Sequence, residues 1–303
     1  MKPIEDSTFE SMTGWRAARV ANYKTIVREY YRLVMAAYRR FWGDSYHFAL
    51  FDEDVTREEA LAATERLIAQ QGRFAPGMQV LDVGCGLGGP ALTIAQYSGA
   101  DVTGIDLCEA HAHTARERAE SRGLTSHTWF LAADGMHLPF CDGTFDRVYT
   151  FEAGCHMPDK ERFYQECARV LRPGGEFLGL DWLRGDGLSA WEEESLVEPI
   201  CRYNCVPDLI NLFELRDLLR QVGLEVLAVE DAGARAGILR NWEPVRNGSP
   251  TIDDVVATDE LWGLQRISEG GLALVRAAFA GAFIVGRWHA RKPLETAGEG
   301  AVR

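Results

Sequence analysis

The run Val80-Leu81-Asp82-Val83-Gly84-Cys85-Gly86-Leu87-Gly88-Gly89-Pro90 decides the fold. An apolar segment ends in glycines and opens into a helical pattern, Ala91, Leu92, Ile94 and Ala95. That is the order in which a buried parallel strand hands a ligand to a helix N-terminus. Glycine belongs there because the backbone must approach the ligand without a side-chain clash. Gly84, Gly86 and Gly89 also satisfy the dinucleotide spacing G-x-G-x-x-G, and Asp106 lies about twenty residues on, where a ribose-binding acid sits. Asp82 tilts the reading, since a carboxylate beside the glycines repels a pyrophosphate and suits a ligand that carries a cationic group.

The surrounding chain, 303 residues, is long enough for one large domain or a domain with an appended lid. A formal net charge of −13 argues against nucleic acid and anionic membrane surfaces as partners, because both ask for a basic face. A small molecule is the expected partner. The opening Met1-Lys2-Pro3-Ile4-Glu5-Asp6 carries no signal-peptide pattern, and no apolar run approaches membrane-spanning length. Seven cysteines, odd in number and without a C-x-x-C pair, point to reduced thiols and a cytoplasmic protein, and no metal ligands are assigned. Asp253-Asp254 is too weak a pair to name as a site.

Upstream of the glycine run, residues 1–14 are polar and expected to be mobile. Val20, Tyr23, Val27, Tyr30, Val34, Ala37 and Phe41 then recur at steps of three and four, an amphipathic helix. Lys24, Arg28 and Arg32 flank the stripe, either as solvated charges or as a seat for a diphosphate. This helix packs on the domain, closes over the active site, or pairs subunits of a homo-oligomer. The segment Phe41-Trp42-Gly43-Asp44-Ser45-Tyr46-His47-Phe48-Ala49 is dense in aromatics, as core or as the apolar wall of a cavity. A second helix from Thr56 to Gln71 opens with the capping box Thr56-Arg57-Glu58-Glu59, and Pro76-Gly77 turns the chain into the first strand.

Downstream, strands alternate with helices, which implies an α/β, Rossmann-like parallel sheet with helices on both faces. The strands expected are Val102–Asp106, Thr128–Ala132, Phe145–Phe151, Glu176–Trp182, Leu224–Val229 and Ala282–Trp288. Asp82, Asp106 and Asp134 fall at the carboxyl ends of successive strands, where such sheets bind ligands. The organisation expected is a helical cap over 1–75, a nucleoside-binding core over 76–183, a lid insertion with the end of the sheet over 184–293, and a flexible tail over 294–303. A Pro/Gly break is read at 248–250.

From Val80 to Trp182 the chain resembles the class I S-adenosylmethionine (SAM) methyltransferases. The glycine run, Asp106, Ala133-Asp134-Gly135, Leu138-Pro139-Phe140 with Phe145-Asp146, and Leu171-Arg172-Pro173-Gly174-Gly175 appear in the family's order. The resemblance implies a seven-stranded, mostly parallel sheet whose final strand runs antiparallel. It also implies SAM as cofactor and S-adenosylhomocysteine as product, held by Asp82, Gly84, Gly86, Gly88, Asp106, Leu107, Asp134, Gly135 and Phe151. Asp82 would face the SAM ammonium, Asp106 the ribose hydroxyls and Asp134 the adenine amino group.

Within that superfamily, Trp42–Phe48, the segment Phe151-Glu152-Ala153-Gly154-Cys155-His156 and Asn241-Trp242-Glu243 resemble the isoprenoid C-methyltransferases that act on sterols, tocopherol precursors and geranyl diphosphate. The resemblance implies methyl transfer to an alkene carbon in secondary metabolism, through a carbocation that a base quenches. Glu152 is the implied base with His156 beside it, and Tyr23, Tyr46, Trp182 and Tyr203 are the aromatic faces for the cation. Each aromatic can equally be core packing, Glu152 a cofactor or cap contact, and His156 an orienting residue. Mg2+ is expected where the acceptor is a diphosphate. The alternatives are an O- or N-methyltransferase using His156 as base, a SAM-binding protein without turnover, and an NAD-dependent dehydrogenase, against which Asp82 argues.

Overall fold

Strand β1 (Gln79–Val83) is buried on both faces, as a central parallel strand requires. In a computed structural model, which describes residues 6–51, 55–233, 237–242 and 258–294, it lies mid-sheet between β2 (Asp101–Asp106) and β4 (Phe145–Phe151). With β3 (Thr128–Ala132), β5 (Leu171–Arg184), β6 (Glu225–Asp231) and β7 (Phe283–Arg291) these form one seven-stranded sheet of order β3-β2-β1-β4-β5-β7-β6. The first five strands pair parallel, and β7 runs antiparallel to both β5 and β6. The expected Rossmann-like, mostly parallel sheet with an antiparallel final strand is therefore present.

Strand residues alternate between two hydrophobic clusters, one on each face. Val80, Tyr149 and Leu178 join α3 (Arg57–Gln71) and α4 (Gly89–Ser98). Leu81, Val148 and Phe177 join α6 (Lys160–Val170) and α9 (Leu212–Gln221). Of the remaining helices, α5 (Glu109–Ser121) packs on β2 and β3. The capping box at α3 is made as read, with Thr56 and Glu59 each accepting the other's backbone N–H.

One expectation about the start of the chain is corrected. Residues from Asp6 to Thr13 form a helix, α1, rather than a mobile segment, with Phe9 and Thr13 buried. Its anchor is ionic as well as apolar: Arg266 donates to Glu10 and Thr13, and Arg266 lies over the Phe9 ring. The long helix α2 (Arg16–Trp42) follows, and its stripe is buried at Tyr23, Val27, Tyr30 and Val34 while Val20 is exposed. That buried part packs within the chain itself. The side chains of Ala37 and Phe41 lie outside the described set.

After β5 comes an insertion of short helices, α7 (Ala190–Glu192), a π-helical turn (Glu193–Val197) and α8 (Glu198–Tyr203). Arg19 of α2, wholly buried, makes a two-pronged ion pair with Glu198 at 2.7 and 2.8 Å and donates to the carbonyl oxygens of Thr13 and Pro207. A last long helix, α10 (Thr258–Phe279), packs on both α2 and α8. The turn expected at Leu171–Gly175 is absorbed into β5 as a register shift opposite Phe145–Arg147. The break at 248–250, Glu243, Asp253-Asp254 and the tail from 295 lie outside the described residues. Among the described residues no helix is long and apolar enough to cross a membrane.

Candidate active site

Beyond the carboxyl ends of β1, β2 and β4 two cavities meet. The first, about 690 Å³, is lined by Gly84, Gly86, Asp106, Leu107, Gly135 and Phe151, with Tyr23 and Val27 of α2 across from them. The second, about 590 Å³, is lined by Phe48, Trp182, Tyr30, Asn204, Ile267 and Leu274. Tyr31, Tyr46, Glu152 and His156 belong to both. They form the boundary across which one ligand would meet another.

The glycine loop shapes the first cavity. Gly84, at φ +83°, lies so close to the loop after β4 that a Cβ would stand 2.2 Å from that of Ala153. The backbone N–H of Gly86 donates to Asp106 Oδ2 and that of Cys108 to Oδ1. Burial pushes the Asp106 carboxyl up, but His111 and these two donors outweigh it and hold it below the usual range.

Three residues expected to touch the cofactor do not line this cavity. Asp82 is buried on the other side of β1, where it accepts from Tyr149 Oη at 3.0 Å, and burial pushes its pKa up to about 8. Gly88 is the N-cap of α4 and faces Ala115 and Phe130. Asp134 is engaged by α2, with Tyr23 Oη at 2.5 Å and Lys24 Nζ at 2.7 Å. Lys24 is thus committed, as is Arg32 to Glu29, while Arg28 donates to the Leu107 carbonyl, so the basic face of the helix is engaged within the chain. Tyr203, expected to face substrate, packs against the core instead of lining either cavity.

Glu152 follows the last residue of β4 and adopts φ +53°, a conformation that costs a non-glycine residue about 1 kcal/mol or more. The turn aims its carboxylate into the boundary. Oε1 accepts from Phe48 N–H and Oε2 from Trp182 Nε1, each at 2.6 Å. Burial raises its pKa to about 7 against the opposing pull of His47 and the two donors. Trp182 and Phe48 stack at 5.8 Å, so the groups that hold the carboxylate also wall the second cavity.

His156 sits on the short turn Gly154–His156, whose carbonyls are gathered by buried Lys160: its Nζ donates to Gly154, Cys155 and Met157 at 2.8–3.0 Å. Nδ1 faces the Cys205 carbonyl at 3.4 Å, and a carbonyl can only accept, so Nδ1 carries the proton. Nε2 then accepts from Tyr31 Oη at 3.1 Å. Burial lowers the His156 pKa to about 4. The unfolded chain binds this proton below about pH 6.5 and the folded chain only near 4, so stability falls as pH falls through that window, by about 3 kcal/mol. Glu152 contributes a slope of opposite sign over much of this window, so the test is the difference between parent and His156→Gln in urea titrations from pH 7 to 4, in which the variant should lack the His156 loss.

Tyr31, Lys160 and Asn204 escaped the sequence reading: Tyr31 lies off the three-and-four stripe, and the other two gave no motif, while His47 was read only as part of the aromatic segment. His47 stacks on Phe151 at 4.4 Å, with Nδ1 facing the Phe48 carbonyl and Nε2 facing Glu65.

Comparison with known proteins agrees with this geometry. A family described as "Methyltransferase domain" matches residues 81–179. The sterol 24-C-methyltransferase erg6 of Aspergillus fumigatus is 35% identical over 80% of this chain, and the chain spans 64% of that protein, less than two thirds of its length. The structure of the (4+2)-cyclase SpnF aligns at a TM-score of 0.74 and 25% identity, over 88% of this chain and 95% of that one. Geranyl diphosphate C-methyltransferase from Streptomyces coelicolor, solved with Mg2+, geranyl diphosphate and S-adenosyl-L-homocysteine, aligns at 0.66 and 16% identity over 89% and 97%, a likeness of fold.

Proposed function

We propose, from the premise that this chain carries a class I SAM-dependent methyltransferase domain, that it methylates a carbon of an isoprenoid acceptor. The observation that carries the reading is Glu152 on the boundary of the two cavities, with its carboxylate fixed by Phe48 and Trp182. The first cavity suits SAM: Asp106 stands ready to accept a vicinal diol, and the glycine loop leaves room for backbone approach. When bound, SAM supplies an electrophilic methyl group on a sulfonium.

The acceptor would lie in the second cavity, whose described lining holds no Lys or Arg. An alkene needs no base to become a nucleophile, so what the residues contribute is alignment and exclusion of water. Tyr46 and Trp182 offer aromatic faces to positive charge on the acceptor. Glu152 then takes the proton that the acceptor must lose. A neutral terpenoid or sterol-like acceptor fits this lining better than a prenyl diphosphate, because the described lining holds no Lys or Arg and Lys24, Arg28 and Arg32 of α2 are committed elsewhere. Mg2+ would enter only with a diphosphate acceptor.

O- or N-methylation through His156 as base is the weaker reading, since the Nε2 lone pair already accepts from Tyr31. Trideuteromethyl SAM incubated with farnesol, a Δ24-sterol and geranyl diphosphate, with and without Mg2+, tests all of these. Label on carbon of a neutral acceptor is the expected result. Label on oxygen or nitrogen overturns C-methylation. Tight SAM binding with no label on any acceptor, amines and phenols included, overturns methyl transfer.

A further inference from the structure

We propose that Asp106, Cys108 and His111 bind Zn2+, and that the bound metal excludes the cofactor from its cavity. The second half rests on the cofactor reading given above; the first does not.

The three residues span the turn from β2 into α5, and the carboxylate oxygen, Sγ and imidazole nitrogen all lie within 4.8 Å of one another. Asp106 Oδ1 and His111 Nδ1 stand 3.1 Å apart. His111 is only 3% exposed, and its Nδ1 makes no well-formed hydrogen bond despite that proximity. A buried imidazole paired with a carboxylate, with a thiol beside both, is a donor arrangement that a zinc ion can enter by replacing that pair.

The donor set decides which metal fits. One carboxylate, one thiol and one imidazole match the mixed O, S and N ligands of Zn2+ and suit neither Mg2+ nor Ca2+, which take oxygen. Tetrahedral zinc holds its ligand atoms roughly 3.3–3.8 Å apart, given bonds of about 2.0–2.3 Å. Side-chain rotation suffices to reach this from the present spacing. The Cys108 thiol gives its proton to solvent as the Zn–S bond forms. Asp106 and His111 both line the first cavity, so the fourth position opens toward it and water would fill it. The same Asp106 carboxylate cannot hold a metal and a ribose diol together, so zinc and cofactor compete by mass action.

Calorimetric titration of the metal-free, cofactor-free protein with Zn2+ tests the site, and Co2+ provides an optical copy through its thiolate charge-transfer band. The expected result is one Zn2+ per chain, at least tenfold weaker in Cys108→Ser, with the cobalt band absent in that variant. SAM affinity should fall as free Zn2+ rises in the parent and stay level in Cys108→Ser. Zinc binding of parent strength in both Cys108→Ser and His111→Asn overturns the site. Zinc and SAM bound together without mutual weakening overturns the exclusion. SAM failing to bind the metal-free protein overturns the cofactor reading and the exclusion with it, while the direct titration still decides the site.

Discussion

Glutamine in place of Glu152 lowers turnover by about 10²–10⁴-fold and leaves SAM affinity within a fewfold of the parent, the loss expected for removal of a positioned base. The carboxylate lies on the boundary of the cavities while Asp106 and the glycine loop lie on the cofactor side, so the two effects separate. A large loss of SAM affinity in calorimetry would assign Glu152 to the cofactor instead. The pH dependence provides a second signature. A base must be ionised, so acceptor turnover rises with pH toward the Glu152 pKa of about 7, and a bound sulfonium, favouring the anion, moves that break lower. Stability runs the other way. The folded chain keeps the Glu152 proton up to about 7 while the unfolded chain releases it near 4.5, so stability falls as pH rises between them. Glutamine has no such proton and should flatten this slope, whatever it loses by turning its amide toward Phe48 N–H or Trp182 Nε1.

Arg19→Met should destabilise the protein by about 2–5 kcal/mol, chiefly because two buried carbonyls lose their donor. Arg19 ties together α1, α2 and the insertion through Thr13, Glu198 and Pro207, and methionine fills the space without serving any of these acceptors. Glu198, 40% exposed at its side chain, can return to water, which places the larger part of the loss on the two buried carbonyls. Arg19→Lys should recover only part, since a single ammonium cannot make the two-pronged contact. Chemical denaturation measures the loss. A variant within 1 kcal/mol of the parent would show that Arg19 contributes nothing to holding α1 and α2 against the insertion.

The sheet was legible because its strands are apolar runs bounded by turn residues, and Thr128–Ala132 and Phe145–Phe151 fall where the sequence places them. The capping box of α3 was legible for the same local reason. The facing of Asp82 was not legible, because nearness to the glycines in sequence says nothing about which side of the strand a residue takes. Strand side chains alternate, and position 82 points toward Tyr149 rather than the cavity. Helix α1 was missed because its partners, Arg202 and Arg266, lie far along the chain. Tyr31 and the Asp106–Cys108–His111 cluster were missed for a related reason. Their meaning depends on which side chains a turn brings face to face, and a search for helical stripes and C-x-x-C pairs passes over both.

The link from Glu10 to Arg266 spans 256 residues, and this distance governs how the chain is made. Helix α2, with its buried stripe, is synthesised more than 200 residues before α10, on which it packs. At about 5–20 residues per second, the stripe waits roughly 10–50 s for its partner. During that interval Ile26, Val27, Tyr30 and Val34 have nothing of their own chain's far end to cover them. A chaperone that captures emerging apolar helices would therefore find its client in α2, and release would await completion of α10.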